Sequence, residues 1–237
     1  MPEHIRREPK VLVSTENLTE QEWLAYRRRG IGGSDVAAIL GISPFRTARD
    51  LYDDKLNIAS AVDDTGNWVA LEMGHLLEPL VARIFAKKTG LEVFQIKKMF
   101  QHPQYPFILA DVDYFVRLPN GKIAILEIKT TNYNAKDHWW KDGEECVPVY
   151  YETQGRHYMA VMDIDEIFYC CLYGNSMRSC TSIRSRFRKK ASQQTLRNGT
   201  NRNRGFCSFC AGIRYGMRRS WQSCSAWRNA EKSTVSR

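Results

Sequence analysis

Apolar positions along the chain change their spacing near residue 90. Before it they recur at helical intervals, the pattern of helices with one buried face. Thr19-Glu20-Gln21-Glu22 reads as a capping box, the Thr19 hydroxyl and the Glu22 carboxylate each serving the other's backbone amide, so a helix is expected from about residue 20 to Arg29. Gly30-Ile31-Gly32-Gly33-Ser34-Asp35 forms a tight loop feeding a short helix through Val36 to Leu40, which Gly41 stops. Another short helix is expected over residues 47–56. A long one covers Trp68–Thr89, with Pro79 as a kink and Gly90 as its terminator. From Leu91 the chain becomes rich in β-formers, and strands are expected over residues 92–100, 107–118 and 122–130. Pro119-Asn120-Gly121 joins the last two, and Asn-Gly there makes them an antiparallel hairpin. A helix over residues 149–162 and a strand over residues 166–173 complete the order α-β-β-β-α-β. This is an α/β domain around a mixed central sheet flanked by helices.

After Gly174 the patterning stops, and the charge shows why the overall balance misleads. The net charge is +9, yet residues 1–174 hold 20 Lys+Arg against 25 Asp+Glu, while residues 175–237 hold 15 against one. The basicity belongs to the tail and does not by itself argue for a nucleic-acid partner. Three segments are therefore expected: an N-terminal extension (1–18), one domain (19–174) and an Arg/Ser/Cys-rich tail (175–237). The tail is poorly ordered, or is translated out of frame from about Ser176. The alternative is a basic arm that holds DNA non-specifically. No run of about 18 apolar residues is present and residues 1–10 lack a signal-peptide core, so the protein is expected in the cytoplasm, without a membrane partner. Seven cysteines in such a chain suggest free thiols. Cys207-Ser208-Phe209-Cys210 with Cys180 and Cys224 lacks the second CxxC pair of a zinc site, and none is expected.

The chemistry concentrates in the hairpin. Ile123-Ala124-Ile125-Leu126-Glu127-Ile128-Lys129 is an apolar strand whose two ionisable side chains share a face. Alone, such a pair is more often the wetted end of a strand. The preceding strand, however, carries Asp111 and Asp113 on one face, where a carboxylate can sit across from Glu127. Facing carboxylates call for a cation. A hard divalent ion held by carboxylates, a backbone carbonyl and water is the usual arrangement for phosphodiester hydrolysis, so Mg²⁺ fits, with Mn²⁺ as substitute. Lys129 would then orient the attacking water or stabilise charge in the transition state.

At this point the residues resemble a known family. Asp113, 13 intervening residues and Glu127-Ile128-Lys129 resemble the core of the PD-(D/E)XK nuclease superfamily. Three further stretches resemble the phage-type, lambda-exonuclease-like nucleases, and the YqaJ-type viral recombinases in particular. They are Arg28-Arg29-Gly30-Ile31-Gly32-Gly33-Ser34-Asp35 with Ser43-Pro44-Phe45, Gly74-His75-Leu76-Leu77-Glu78-Pro79, and Tyr151-Glu152-Thr153-Gln154. The resemblance spans residues 20–174. It implies a restriction-endonuclease-like αβββαβ core and a Mg²⁺-dependent recombination exonuclease working 5′ to 3′ on duplex DNA. Within that site it implies Glu78, Asp113, Glu127 and the Ile128 carbonyl as metal ligands, Lys129 as the catalytic lysine, and Gln154 beside them. Tyr151 lies one helical turn from Gln154 on the same face. Arg28, Ser34 and Tyr151 are the residues expected at a DNA phosphate, which for Ser34 agrees with its standing at a helix N-terminus beside an arginine. A strand-annealing protein and further copies of the chain are the partners it allows. Two other functions fit the same residues: a restriction-like or junction-resolving endonuclease, and a non-catalytic DNA-binding module. His75, Asp111 and His138-Trp139-Trp140 are set aside as packed or outer residues.

Overall fold

The apolar strand β6 (Ile123–Thr130) lies at the middle of a five-stranded sheet, which is why it tolerates no polar residue before Glu127. The computed structural model describes residues 8–58 and 68–186. On one side β6 pairs antiparallel with β5 (Tyr114–Arg117), and β5 with β2 (Glu92–Phe94). On the other it runs parallel to β9 (Glu166–Leu172), which pairs antiparallel with β10 (Cys180–Arg186). The sheet is mixed, as expected. Gly121 closes the β5–β6 hairpin at φ +78°, the left-handed turn that Asn120-Gly121 announces.

Helices cover both faces. Val81, Ala82 and Phe85 of α4 (Trp68–Thr89) pack on Ala124, Leu126 and Ile128 of β6 and on Phe168 and Cys170 of β9. On the opposite face Tyr158, Met159, Val161 and Met162 of α5 (Val149–Met162) pack on Ile125, Ile167, Tyr169 and Cys171. The alternation along β6 thus turns Ile125, Glu127 and Lys129 toward α5. Pro79 lies within α4, which continues past it.

The early part of the chain adds three short helices: α1 (Glu20–Arg28), α2 (Gly33–Ile39) and α3 (Ala48–Lys55). The Thr19/Glu22 capping box forms as read. A second, three-stranded sheet holds β1 (Lys10–Ser14), β3 (Lys98–Gln101) and β4 (Leu109–Asp111) in the order β1-β3-β4, and β7 (Trp140–Lys141) pairs antiparallel with β8 (Glu144–Glu145).

Four expectations change. The strand expected over residues 92–100 divides into β2 and β3, which join different sheets, and that over residues 107–118 divides into β4 and β5 at Val112-Asp113. The N-terminal extension is not separate, because β1 completes the small sheet through its pairing with β3. Ordered pairing also runs past Gly174, with β10 covering the edge of β9. Residues 187–237, on which the rest of the tail expectation falls, lie outside the described residues.

Candidate active site

Sequence periodicity brings Glu127 and Lys129 to one face of β6, and the break between β4 and β5 brings Asp113 beside them. In the β5–β6 register Tyr114 pairs with Leu126, so Asp113 would oppose Glu127. The ladder stops there instead, and Asp113 Oδ2 accepts the Ile128 backbone N–H at 2.9 Å. A carboxylate replaces the missing strand. Because the N–H and C=O of one strand residue point to the same neighbour, the Ile128 carbonyl also faces the side that β5 has left.

Glu127 is fully buried. Its Oε1 accepts from Lys129 Nζ at 2.5 Å and from Gln154 Nε2 at 2.5 Å. Gln154 comes from α5, and its amide also donates to the Tyr158 hydroxyl at 3.3 Å. Tyr151, one turn earlier, lies under the Lys129 ammonium, 4.9 Å from ring centroid to nitrogen, and stacks on buried Trp139 at 5.7 Å. Trp139 therefore packs against Tyr151 rather than offering an exposed base-stacking surface. Glu78 reaches the site from α4, the opposite helical layer, and lines a cleft of about 310 Å³ with His75, Asp111, Asp113, Ser34 and Arg27.

The carboxylates disturb one another. Burial, then the charges of neighbours led by Glu127, pushes Asp113 up to about 8. Burial, then Asp113, pushes Glu78 up to about 7, against the opposing pull of His75 and Lys129. Burial likewise raises Glu127, although Lys129 opposes it. For Lys129, burial alone would depress the ammonium, but Glu127 and Asp113 outweigh it and hold it above its ordinary value. Among the described residues no three His, Cys, Asp or Glu side chains converge closely enough to hold an ion in this arrangement. The Glu127 Oε1 atom is taken by Lys129 and Gln154, while Glu127 Oε2 is buried with no hydrogen-bond partner among the described residues. A buried carboxylate oxygen left so is rare and costly, and it fits a hard cation as the missing partner.

Of the arginine and serine expected at a DNA phosphate, the structure brings Ser34 to the cleft and not Arg28. Arg28 turns away: its Nε donates to the Asp54 carbonyl at 3.0 Å and to Asp54 Oδ1 at 3.1 Å, tying α1 to the end of α3. Arg27 is the arginine in the cleft, donating to the Ser34 hydroxyl at 3.0 Å. The rotation is set by helix periodicity, since Arg27 stands four residues after Trp23 on the cleft face of α1. Ser34 lines the cleft but is not the cap of α2. Gly32 caps it, with Asp35 Oδ2 accepting the Gly32 N–H at 2.8 Å.

Two residues that bear on the site carried no assigned role in the sequence. Asp35 is fully buried and meets Lys55 at 2.7 Å, Arg27 at 3.6 Å and Arg46. Its position three residues after Gly32, a capping-box spacing, was the available signal. Trp23 donates its indole N–H to Asp111 Oδ2 at 2.6 Å. Only its i,i+4 relation to Arg27 could have suggested it.

A comparison with known families matches residues 22–165 to the YqaJ-like viral recombinase domain, more than half of the chain. The chain belongs to this family. It is 40% identical over 154 residues to the uncharacterised protein YqaJ of Bacillus subtilis (strain 168), a match covering 65% of this chain. The chain spans about half the length of that curated relative, 46% of it. Among solved structures, the alkaline exonuclease of Laribacter hongkongensis shares the fold with a TM-score of 0.61 at 18% identity, over 91% of this chain and 97% of that one. The same enzyme in complex with dAMP gives 0.59 at 19% identity over the same shares. This YqaJ-like chain therefore has the mixed α/β fold of that exonuclease. Among the described residues no helix is long and apolar enough to cross a membrane.

Proposed function

We propose that this YqaJ-like chain is a divalent-metal-dependent DNA nuclease that hydrolyses phosphodiester bonds as a recombination exonuclease, working 5′ to 3′ on duplex ends. The observation that carries the reading is the break in the β4–β5 chain at Asp113. It sets a second carboxylate beside Glu127 and Lys129, and one buried Glu127 oxygen has no partner among the described residues. Glu78, Asp113, Glu127 and the Ile128 carbonyl would hold Mg²⁺, or Mn²⁺ in its place. When bound, the ion would supply Lewis-acid polarisation of the phosphate and a more acidic water.

The chain's own side chains do the rest. Lys129, kept protonated by its carboxylate neighbours, places a fixed positive charge where the phosphate becomes more negative. Tyr151 and Glu127 hold that ammonium in place, and Gln154 orients the Glu127 carboxylate. Arg27 and Ser34, side by side on the cleft, bind a phosphate of the same strand. A strand-annealing protein and further copies of the chain complete the proposed setting.

Digestion of linear duplex DNA with Mg²⁺ tests the reading. Glu127→Ala and Lys129→Ala should abolish cleavage while DNA binding remains. Cleavage that survives both substitutions sinks the assigned site, and equal attack on closed circular DNA replaces the exonuclease with an endonuclease.

A further inference from the structure

Arg27 stands over an aromatic neighbour on its own helix. Its guanidinium lies 4.7 Å over the Trp23 ring. The ring is itself pinned, because Trp23 Nε1 donates to Asp111 Oδ2 at 2.6 Å. All three side chains line the cleft that holds Glu78, Asp113 and Ser34. We propose that Trp23 is a positioning residue: it fixes the Arg27 guanidinium at the cleft as a preset anion-binding group, in register with the carboxylates through Asp111. This rests on the reading of the cleft as a DNA-phosphate site.

Other contacts do not hold Arg27 on their own. Asp35 is 3.6 Å away, but Lys55 at 2.7 Å and Arg46 also serve it, so its charge is already answered. The Ser34 hydroxyl, at 3.0 Å, belongs to an exposed residue. Among the described residues the Arg27 Nε and its other terminal nitrogen have no hydrogen-bond partner, which leaves donors for an anion. An unsupported arginine would lose much side-chain freedom on binding; one stacked on a fixed ring has already lost it. Trp23 itself is half-buried and stands outside the hydrophobic core clusters, so fold stability does not demand an indole there.

The test is binding of a fluorescent, 5′-phosphorylated DNA oligonucleotide to the full chain in EDTA, where no cleavage intervenes. Trp23→Leu should weaken binding about tenfold. Trp23→Phe keeps the ring without the N–H and should lose only part of that, and Asp111→Asn, which keeps an acceptor, should bind at least as well as the wild type. In an Arg27→Ala background Trp23→Leu should cost nothing more, because the group it positions is gone. With Mg²⁺ the Trp23→Leu loss should appear in KM, with kcat nearly kept. A wild-type protein that ignores DNA would sink the functional reading and this proposal with it. If the wild type binds but Trp23→Leu matches it, or weakens binding equally with and without Arg27, the positioning role alone is wrong. Matching thermal midpoints among the variants guard the comparison.

Discussion

Asp35 sits fully buried among Lys55, Arg46 and Arg27, with burial opposing its charge and the three cations more than compensating, so its carboxyl lies below the ordinary value. Asp35→Ala would take their shared buried counter-ion from Lys55, Arg46 and Arg27, leaving Arg46 with Asp54 at 3.6 Å and Lys55 with the Arg27 carbonyl at 2.9 Å. Breaking a buried charge network from one side costs about 3–5 kcal/mol, so chemical denaturation of this variant should show a loss of that size. A loss under about 1 kcal/mol would mean that the cluster is effectively solvated. The chain also shows why Arg27, Arg28 and Arg29 could not be told apart before folding: three adjacent arginines on a helix point in three directions. The selection depends on Asp54 in α3, which captures Arg28, and on Trp23 and Ser34, which meet Arg27. The Glu127 and Lys129 pair was legible, because period-two alternation alone puts them on one face.

The tight approach of α2 to α5 is an arrangement of elements with a sharp consequence. A Cβ on Gly33 would stand 2.6 Å from the Tyr158 ring and 2.9 Å from the Gln154 side chain. Gly33→Ala should therefore push Gln154 off Glu127. The expected outcome is destabilisation of about 1–3 kcal/mol and a fall in cleavage rate with DNA affinity kept; unchanged turnover would show that Gln154 does not need this geometry. Helices and the β5–β6 hairpin were readable because each carries its own signal: the Thr19 capping box, the Gly90 stop at φ +69° and the Asn120-Gly121 turn. The divisions at 95–97 and 112–113 were not. A run of β-forming residues states that a strand exists, but not that its two halves leave for different sheets, which only the partners β1 and β6 decide. The same is true of β10, whose place is set by pairing with β9 and by the Lys88 ammonium donating to the Cys180 carbonyl at 2.6 Å.

Taken as a whole, the protein carries a pH dependence written by its carboxylates. Glu78 and Asp113 keep protons up to about 7 and about 8 in the folded metal-free chain, against 4.5 and 3.8 as ordinary values. The folded state thus binds more protons across that range, and its stability falls as pH rises through it. Buried His157, pushed down to about 4, acts in the opposite sense below its ordinary 6.5, so the interval from 6.5 to about 8 isolates the carboxylates. The thermal midpoint of the metal-free protein should drop over that interval, the drop should shrink in Asp113→Asn, and added Mg²⁺ should restore the midpoint at the upper end. A flat profile would separate these groups from the proposed metal site. The most direct measurement is a time course of linear duplex DNA with the wild-type chain and Lys129→Ala, each with Mg²⁺ and with EDTA. Strand shortening is expected only for the wild type with Mg²⁺; shortening by Lys129→Ala at the wild-type rate, or in EDTA, would contradict a metal-dependent site built on Lys129.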